Sequence, residues 1–356
     1  MNLGYEVGQL RNRVLVEAFL TARKNGNVIP PKFIAWDCSR RCNLNCQHCG
    51  AKKEKYDIST ELTLEQVKKF LKEAREYGVT DFSVTGGEPL LRKDIFEIFE
   101  YAKQLGFITG MSTNGFFVND INAPKIAALF DTIQISLDGP EDVHSTIRGN
   151  PRAFAKAINA FELLKVNKAR QLSVSSVITK TNLSRIDELA SLVFDTIRPQ
   201  IWKIMTVMPI GNAENNGNLS LDENEAKQLF ETIRKDYKKK IRIDIGDNLG
   251  FLGSCDKFLR DQPFFCPIGF LAFCLGVDGK VRGCPEQPDS EYFYEGDIRV
   301  SNIKEIWEHG FEKYRNLALL DSPECANCKD KSACRGGCWV MKTKGQNCSK
   351  MVYNLG

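Results

Sequence analysis

From Phe33 to about Val207 the chain alternates short runs rich in β-branched and aromatic residues with longer stretches whose apolar positions recur at helical spacing. The short runs at 33–35, 81–84, 107–111, 132–137, 172–178 and 201–207 predict strands. Between them, Thr63 and Gln66 form a capping-box pattern. It opens a helix with Leu64, Val67, Phe70, Ala74 and Tyr77 on one face, and Gly78 closes it. Asp94 and Gly106 bracket the next helix. Asn150 and Pro151 supply a cap and a first-turn proline for a third, with Phe154, Ala157, Ile158, Phe161 and Leu164 along one side. Six strand–helix units predict an α/β fold with a parallel sheet, right-handed crossovers and ligand chemistry at the carboxyl ends of the strands.

After Pro209 the texture changes to a polar, turn-rich stretch over 211–218, followed by a helix pattern with Ala226, Leu229, Phe230, Ile233 and Tyr237. From Cys255 onward helical periodicity mostly disappears and nine of the thirteen cysteines appear. A loop-rich segment of that kind lacks a large core, so metal clusters would serve as its staples. The expected organisation is a helical extension over 1–30, an α/β domain over 31–210, a linker and bridging helix over 211–250, and a small loop-rich domain over 251–356. In the extension, Leu10, Val14, Ala18 and Phe19 form an apolar pattern that either packs on the α/β domain or docks a partner.

Composition narrows the class. Basic and acidic residues nearly balance, 49 against 45, so the clustered basic face of a dedicated nucleic-acid binder is not expected. The run Lys238-Lys239-Lys240 with Arg242 reads as a solvated helix end. The longest apolar stretch, 264–277, is interrupted by Pro267 and Gly269 and is shorter than a membrane span. An odd number of cysteines in C-x-x-C and C-x-x-x-C groupings argues for metal ligation in a reducing compartment. With no signal-peptide pattern at the start, a cytoplasmic location is expected.

The chemistry concentrates first at Cys42, Cys46 and Cys49. Three thiolates leave one iron of a [4Fe-4S] cluster without a protein ligand and open to a small molecule. A zinc site completed by His48, or buried thiols in a core, are the other readings of the same run. Gly86-Gly87-Glu88-Pro89 follows the second predicted strand, where paired glycines expose backbone polar groups and Glu88 offers a carboxylate to an ammonium. Ser112 and Asn114 end the third strand, Ser136 and Asp138 the fourth, and Arg148 follows ten residues on. Each of these is common in turns or on surfaces when taken alone.

Together the CxxxCxxC run and the GGEP loop resemble the radical S-adenosylmethionine (radical SAM) superfamily. The resemblance implies a partial (β/α)6 TIM-like barrel over 31–210. In that family a [4Fe-4S] cluster held by Cys42, Cys46 and Cys49 chelates S-adenosylmethionine and cleaves it to a 5'-deoxyadenosyl radical. It also implies cofactor contacts from Gly86, Gly87, Glu88 and Pro89 on the amino group, from Ser112, Asn114, Ser136 and Asp138 on ribose and carboxylate, and from Arg148 on the methionine carboxylate. His48 falls where the family often has an aromatic residue packed near the cluster.

The C-terminal pattern Cys325-x2-Cys328-x5-Cys334-x3-Cys338, then Cys348, preceded by Cys266 and Cys284, resembles the seven-cysteine SPASM domain. That resemblance implies two auxiliary [4Fe-4S] clusters, and so three clusters in all. One would be held by Cys325, Cys328, Cys334 and Cys348. The other would be held by Cys266, Cys284 and Cys338, with Cys255 as fourth ligand and Cys274 as the competitor for that place. Cys38 and Cys274 are otherwise ordinary buried thiols. A zinc site over 325–338 would explain only four of these cysteines.

The family's activity implies hydrogen-atom abstraction from a ribosomally made peptide, leading to crosslinking, epimerisation, decarboxylation or backbone excision. Modification of a tetrapyrrole or other small cofactor precursor is the second enzymatic reading. An iron–sulfur electron carrier or a zinc-stabilised binding module is the non-enzymatic one. Only three histidines occur, which suits radical chemistry better than general-base hydrolysis. Cys284 is followed by Pro285-Glu286 where sulfatase maturases carry an aspartate, which disfavours that activity. About 35 residues precede the first strand, too few for a fused peptide-recognition domain. Expected partners are therefore a precursor peptide, a separate small peptide-recognition protein, and a flavodoxin- or ferredoxin-type electron donor, with no nucleic acid and no membrane.

Overall fold

A computed structural model of the chain describes residues 3–51, 57–214, 216–343 and 348. Six parallel strands carry the barrel: β1 (Phe33–Asp37), β2 (Asp81–Thr85), β3 (Ile108–Thr113), β4 (Thr132–Ser136), β5 (Leu172–Ile178) and β6 (Ile201–Thr206). A seventh parallel strand, β7 (Arg242–Ile245), pairs with β6, in the segment expected to be only linker and helix. Alternation explains both faces of the sheet. Ile133 and Ile135 of β4 are fully buried, whereas Thr132, Gln134 and Ser136 are half-buried on the other face.

The outward face packs under the helices. Trp36, Phe82, Phe99 and Phe130 run through the core with successive ring centroids 5.7, 5.1 and 4.5 Å apart. Helix α1 is Leu3–Lys24, α2 Leu64–Tyr77, α3 Ile95–Gln104, α4 Ala123–Leu129, α5 Glu141–Arg148 and α6 Ala153–Val166. The capping box at Thr63 and Gln66 is formed, and Gly78 ends α2 at a φ of 117° that a side chain would oppose. Asp94 makes no side-chain cap and pairs instead with Arg92. Pro151 does not open α6. Asn150 accepts a hydrogen bond from Arg152 N, which keeps 151–152 in a turn and moves the helix start to Ala153.

The sheet does not stop at the barrel. Strand β8 (Ala272–Leu275) pairs in parallel with the outer edge of β1, and β9 (Lys280–Arg282) and β10 (Tyr294–Asp297) continue antiparallel. One ten-stranded sheet therefore runs in the order β10-β9-β8-β1-β2-β3-β4-β5-β6-β7 across residue 250. Beyond β10 the chain consists of short helices and turns that carry the last cysteines.

The expected apolar face of α1 divides. Tyr5, Asn12, Val16 and Phe19 are buried, with Phe19 edge-on to Phe270 and Trp307, and Tyr5 hydrogen-bonded to Asp256 at 2.6 Å. Leu10 and Val14 point outward with Val7, each more than half exposed. The packing stripe is thus set by positions 5, 12, 16 and 19. Among the described residues no helix is long and apolar enough to cross a membrane.

Candidate active site at the barrel mouth

The loop after β1 brings Cys42, Cys46 and Cys49 to the carboxyl end of the sheet. Its backbone is fixed from two sides. Asn45 N and Gln47 N donate to the carbonyls of Arg148 and Ile147 at the end of α5, at 3.1 and 2.9 Å. Asn212 donates through its backbone N to Cys49 O and through Nδ2 to Cys46 O, both at 2.9 Å. Cys46 is buried, and Cys42 and Cys49 pack half-buried around it with Leu44, Ala153 and Phe116.

These thiols suit an iron–sulfur cluster. Burial, with Cys46 alongside, pushes the Cys49 thiol up to about 11, so a free thiol there stays protonated and bound metal would supply the missing positive charge. Arg148 Nη1 points at Cys46 Sγ at 3.7 Å, and Asn114 Nδ2 at Cys42 Sγ at 3.8 Å, as donors do toward cluster thiolates. Among the described residues no three Cys, His, Asp or Glu side chains close on a single ion position. A cubane binds each thiolate to a different iron and does not need that convergence. The His48 side chain is 8% exposed, and its burial takes the imidazole down to about 4, so it is neutral. Its Nε2 lies 4.0 Å from Asp138 and its Nδ1 has no partner.

The Gly86-Gly87-Glu88-Pro89 loop lies directly against the cysteine loop. Gly86 has a φ of 123°, and a Cβ on Gly87 would stand 2.0 Å from Arg41 O. Only paired glycines allow this approach, which lets Gly87 N and Glu88 N donate to Ser39 O and Arg41 O at 2.6 and 2.7 Å. Pro89 opens a short 3-10 turn, Pro89–Leu91. Glu88 is fully buried. Its carboxylate, expected to receive an ammonium, already accepts from Thr113 Oγ1 at 2.7 Å, Asn114 N at 2.9 Å and Leu90 N at 3.2 Å, bracing the loop on the end of β3. Burial pushes this carboxyl up, against those hydrogen bonds.

Asn114 also donates to Asn43 Oδ1 at 3.0 Å, so it links β3 to the cysteine loop. Ser112 and Ser136 stand half-buried on the inner faces of β3 and β4. Asp138 is fully buried, accepting from Arg148 Nε at 2.6 Å and from Val177 N at 3.0 Å. Burial alone would raise the Asp138 carboxyl, but Arg148, His48 and His144 hold it down at about 2. Arg148, expected on a methionine carboxylate, thus has Nε on Asp138 and Nη1 toward Cys46. His144, which the sequence analysis did not single out, accepts from Asp138 N through Nδ1 at 3.0 Å and orders this corner.

A cavity of about 480 Å³ opens beside these loops, lined by His48 and Cys49, by Thr85 and Gly86, by Val177 and Met205 from the far strands, and by Asn248 and Glu286. Strands β2 and β5 are three apart in the sheet yet both line it, so the sheet curves around the space. Arg282 pairs with Asp37 at 2.9 Å and with Asp289, and Arg40 pairs with Asp289. Asn248 and Glu286 were missed as site residues, because nothing local marks them.

The C-terminal cysteines gather as well. Cys325, Cys328, Cys334 and Cys348 line a second cavity, of about 400 Å³, and burial with Cys348 nearby pushes the Cys334 thiol up to about 12. Burial also raises Cys266 and Cys284, with Cys338 close enough to both to add to the shift. Cys255 ends the turn Gly253–Cys255 and packs against the main core. Cys274 lies in β8, fully buried opposite Ala35, and Cys38 is fully buried after β1.

Comparison with known proteins agrees with this geometry. Residues 36–193 match the radical SAM superfamily. The AdoMet-dependent heme synthase of Oleidesulfovibrio alaskensis is 27% identical over 327 residues, 86% of this chain and 82% of that protein. The mycofactocin maturase MftC of Mycolicibacterium smegmatis is 28% identical over 319 residues, 88% and 79% of the two chains. The fold resembles that of anSMEcpe with bound AdoMet, with a TM-score of 0.70 at 21% identity over 90% of this chain and 91% of the other. It also resembles Streptococcus suis SuiB bound to its precursor peptide SuiA, with a TM-score of 0.72 at 16% identity over 91% and 75%. The cysteine loop and the glycine pair both lie within the matched residues, so the barrel is a radical SAM domain and the protein is a radical SAM enzyme.

Proposed function

We propose that this enzyme modifies a ribosomally synthesised peptide. The charge of the cavity carries the reading. Both arginines that line it, Arg40 and Arg282, are held by Asp37 and Asp289, while Glu286 adds a further carboxylate. A substrate with several carboxylates would meet no uncommitted arginine there, whereas a peptide would not need one. The relative named as a mycofactocin maturase and the fold likeness to a peptide-bound SuiB support the same choice.

Cys42, Cys46 and Cys49 would hold a [4Fe-4S] cluster that, with S-adenosylmethionine bound, would supply the radical chemistry for hydrogen abstraction from an unactivated carbon. The protein's part is positioning. Gly86, Gly87 and Pro89 bring backbone carbonyls up to the cofactor's amino group, while Glu88 holds that loop on β3. Ser112, Asn114 and Ser136 face the ribose. Asp138 orients Arg148, whose guanidinium donates toward Cys46 and compensates cluster charge. Neutral His48 packs beside the cluster and moves no proton. Closure of the cavity by 285–289 excludes water from the reacting carbon.

Two auxiliary clusters complete the proposal, one on Cys325, Cys328, Cys334 and Cys348, the other on Cys266, Cys284 and Cys338 with Cys255. A separate recognition protein would deliver the peptide, and a flavodoxin or ferredoxin the electron. The test is anaerobic coexpression with a co-encoded peptide gene, then mass analysis. A mass change in the peptide that requires intact Cys42, Cys46 and Cys49 is expected, and an unchanged peptide overturns the reading. The likeness to AdoMet-dependent heme synthases favours a second reading, modification of a tetrapyrrole precursor. Conversion of a propionate-bearing tetrapyrrole by the same protein would establish it.

A further inference from the structure

Two acceptors in the cavity wall have no donor. Glu286 lies two residues beyond Cys284, and its Oε2 sits so close to Gly50 that a Cβ there would come within 2.4 Å of it. This one carboxylate therefore stands between the cysteine loop of the radical SAM cluster and the segment that carries Cys284. Arg282 and Lys203 act on it only at longer range, and Asp37 opposes them. Asn248 is 7% exposed and lines the same cavity. Its Nδ2 donates to Thr206 O at 2.7 Å, but its Oδ1 is buried without a partner. A buried acceptor left in this state, as Asn248 Oδ1 is, costs stability unless a ligand supplies the donor.

We propose that Glu286, assisted by Asn248, anchors a protonated nitrogen of the substrate, so that the peptide enters with a lysine or arginine side chain in this cavity. The assignment rests on the peptide reading above and specifies which peptides. A neutral donor would satisfy Asn248 and leave the Glu286 charge uncompensated. An anionic group would face Glu286 and Asp37 together. An ammonium or guanidinium has the donors both acceptors need and the charge that Glu286 needs, and Arg40 and Arg282 do not compete, being held by Asp289 and Asp37.

The experiment uses the anaerobically reconstituted holoprotein with S-adenosylmethionine bound. Acetyl-Gly-X-Gly-amide peptides, with X as lysine, arginine, norleucine or glutamate, are measured by equilibrium dialysis, with coproporphyrin III as a separate arm. Lysine and arginine peptides should be retained about tenfold more tightly than norleucine, and glutamate least. In Glu286→Gln that preference should fall to about twofold or less, with iron content and S-adenosylmethionine affinity unchanged. Asn248→Ala should weaken the cationic peptides while keeping their order. Equal retention of lysine and norleucine, no retention of any peptide, or a preference that survives Glu286→Gln overturns the anchor alone. Tighter retention of coproporphyrin III than of the lysine peptide overturns the peptide reading itself.

Discussion

Glu88 and Asp138 are both buried carboxylates at strand ends, and the chain treats them differently. Three hydrogen bonds hold Glu88 with no cation among them, so Glu88→Ala leaves Thr113 Oγ1 and Asn114 N without their acceptor. We expect a loss of about 1–3 kcal/mol in unfolding free energy, with weaker S-adenosylmethionine binding and unchanged iron content. Denaturant titration and calorimetry check the two effects separately. Asp138 has Arg148 against it, and its carboxyl sits at about 2 instead of 3.8. Its contribution to the apoprotein, about 2 kcal/mol, is present above about pH 4 and lost as the pH falls through about 2. Asp138→Asn should flatten the pH dependence of apoprotein stability in that window, and an unchanged slope would refute the assignment.

At the scale of elements, the glycine pair decides whether the two loops can meet. Gly87→Ala places a Cβ 2.0 Å from Arg41 O, against the backbone of Arg40 and Arg41 and no flexible side chain that could yield. The variant should lose cluster binding at Cys42, Cys46 and Cys49, read as about four fewer iron atoms, while Thr63→Ala should cost only about 1 kcal/mol of stability and no iron. The strands of the barrel were legible because the spacing of Phe82 and Val84, or of Ile133 and Ile135, alternates over enough residues to separate the faces. Strand β7 was not, because Arg242 and Asp244 alternate with only two apolar residues beside a basic run. The pairing of β8 with β1 links Cys274 to Ala35 across more than two hundred residues, and no local period encodes it.

For the whole molecule, the same limit explains the site. Cys42, Cys46 and Cys49 announce themselves by spacing, and so do Gly86 to Pro89. Glu286 becomes a site residue only because β8 folds back on β1 and carries 284–289 over the barrel mouth, and Asn248 because β7 pairs with β6 and its side chain donates to Thr206 O. Cys325, Cys328, Cys334 and Cys348 were grouped by family resemblance, and the structure lines one cavity with all four. Reconstituted protein should therefore hold about twelve iron atoms, and replacing those four cysteines by alanine should remove about a third of them.

The most direct measurement is the formation of 5'-deoxyadenosine by anaerobically reconstituted protein given S-adenosylmethionine and a low-potential reductant. The account predicts 5'-deoxyadenosine from the native chain and from Glu286→Gln. It predicts none when Cys42, Cys46 and Cys49 are replaced together by alanine. Stoichiometric zinc in place of iron, or 5'-deoxyadenosine that persists without those three cysteines, would contradict it.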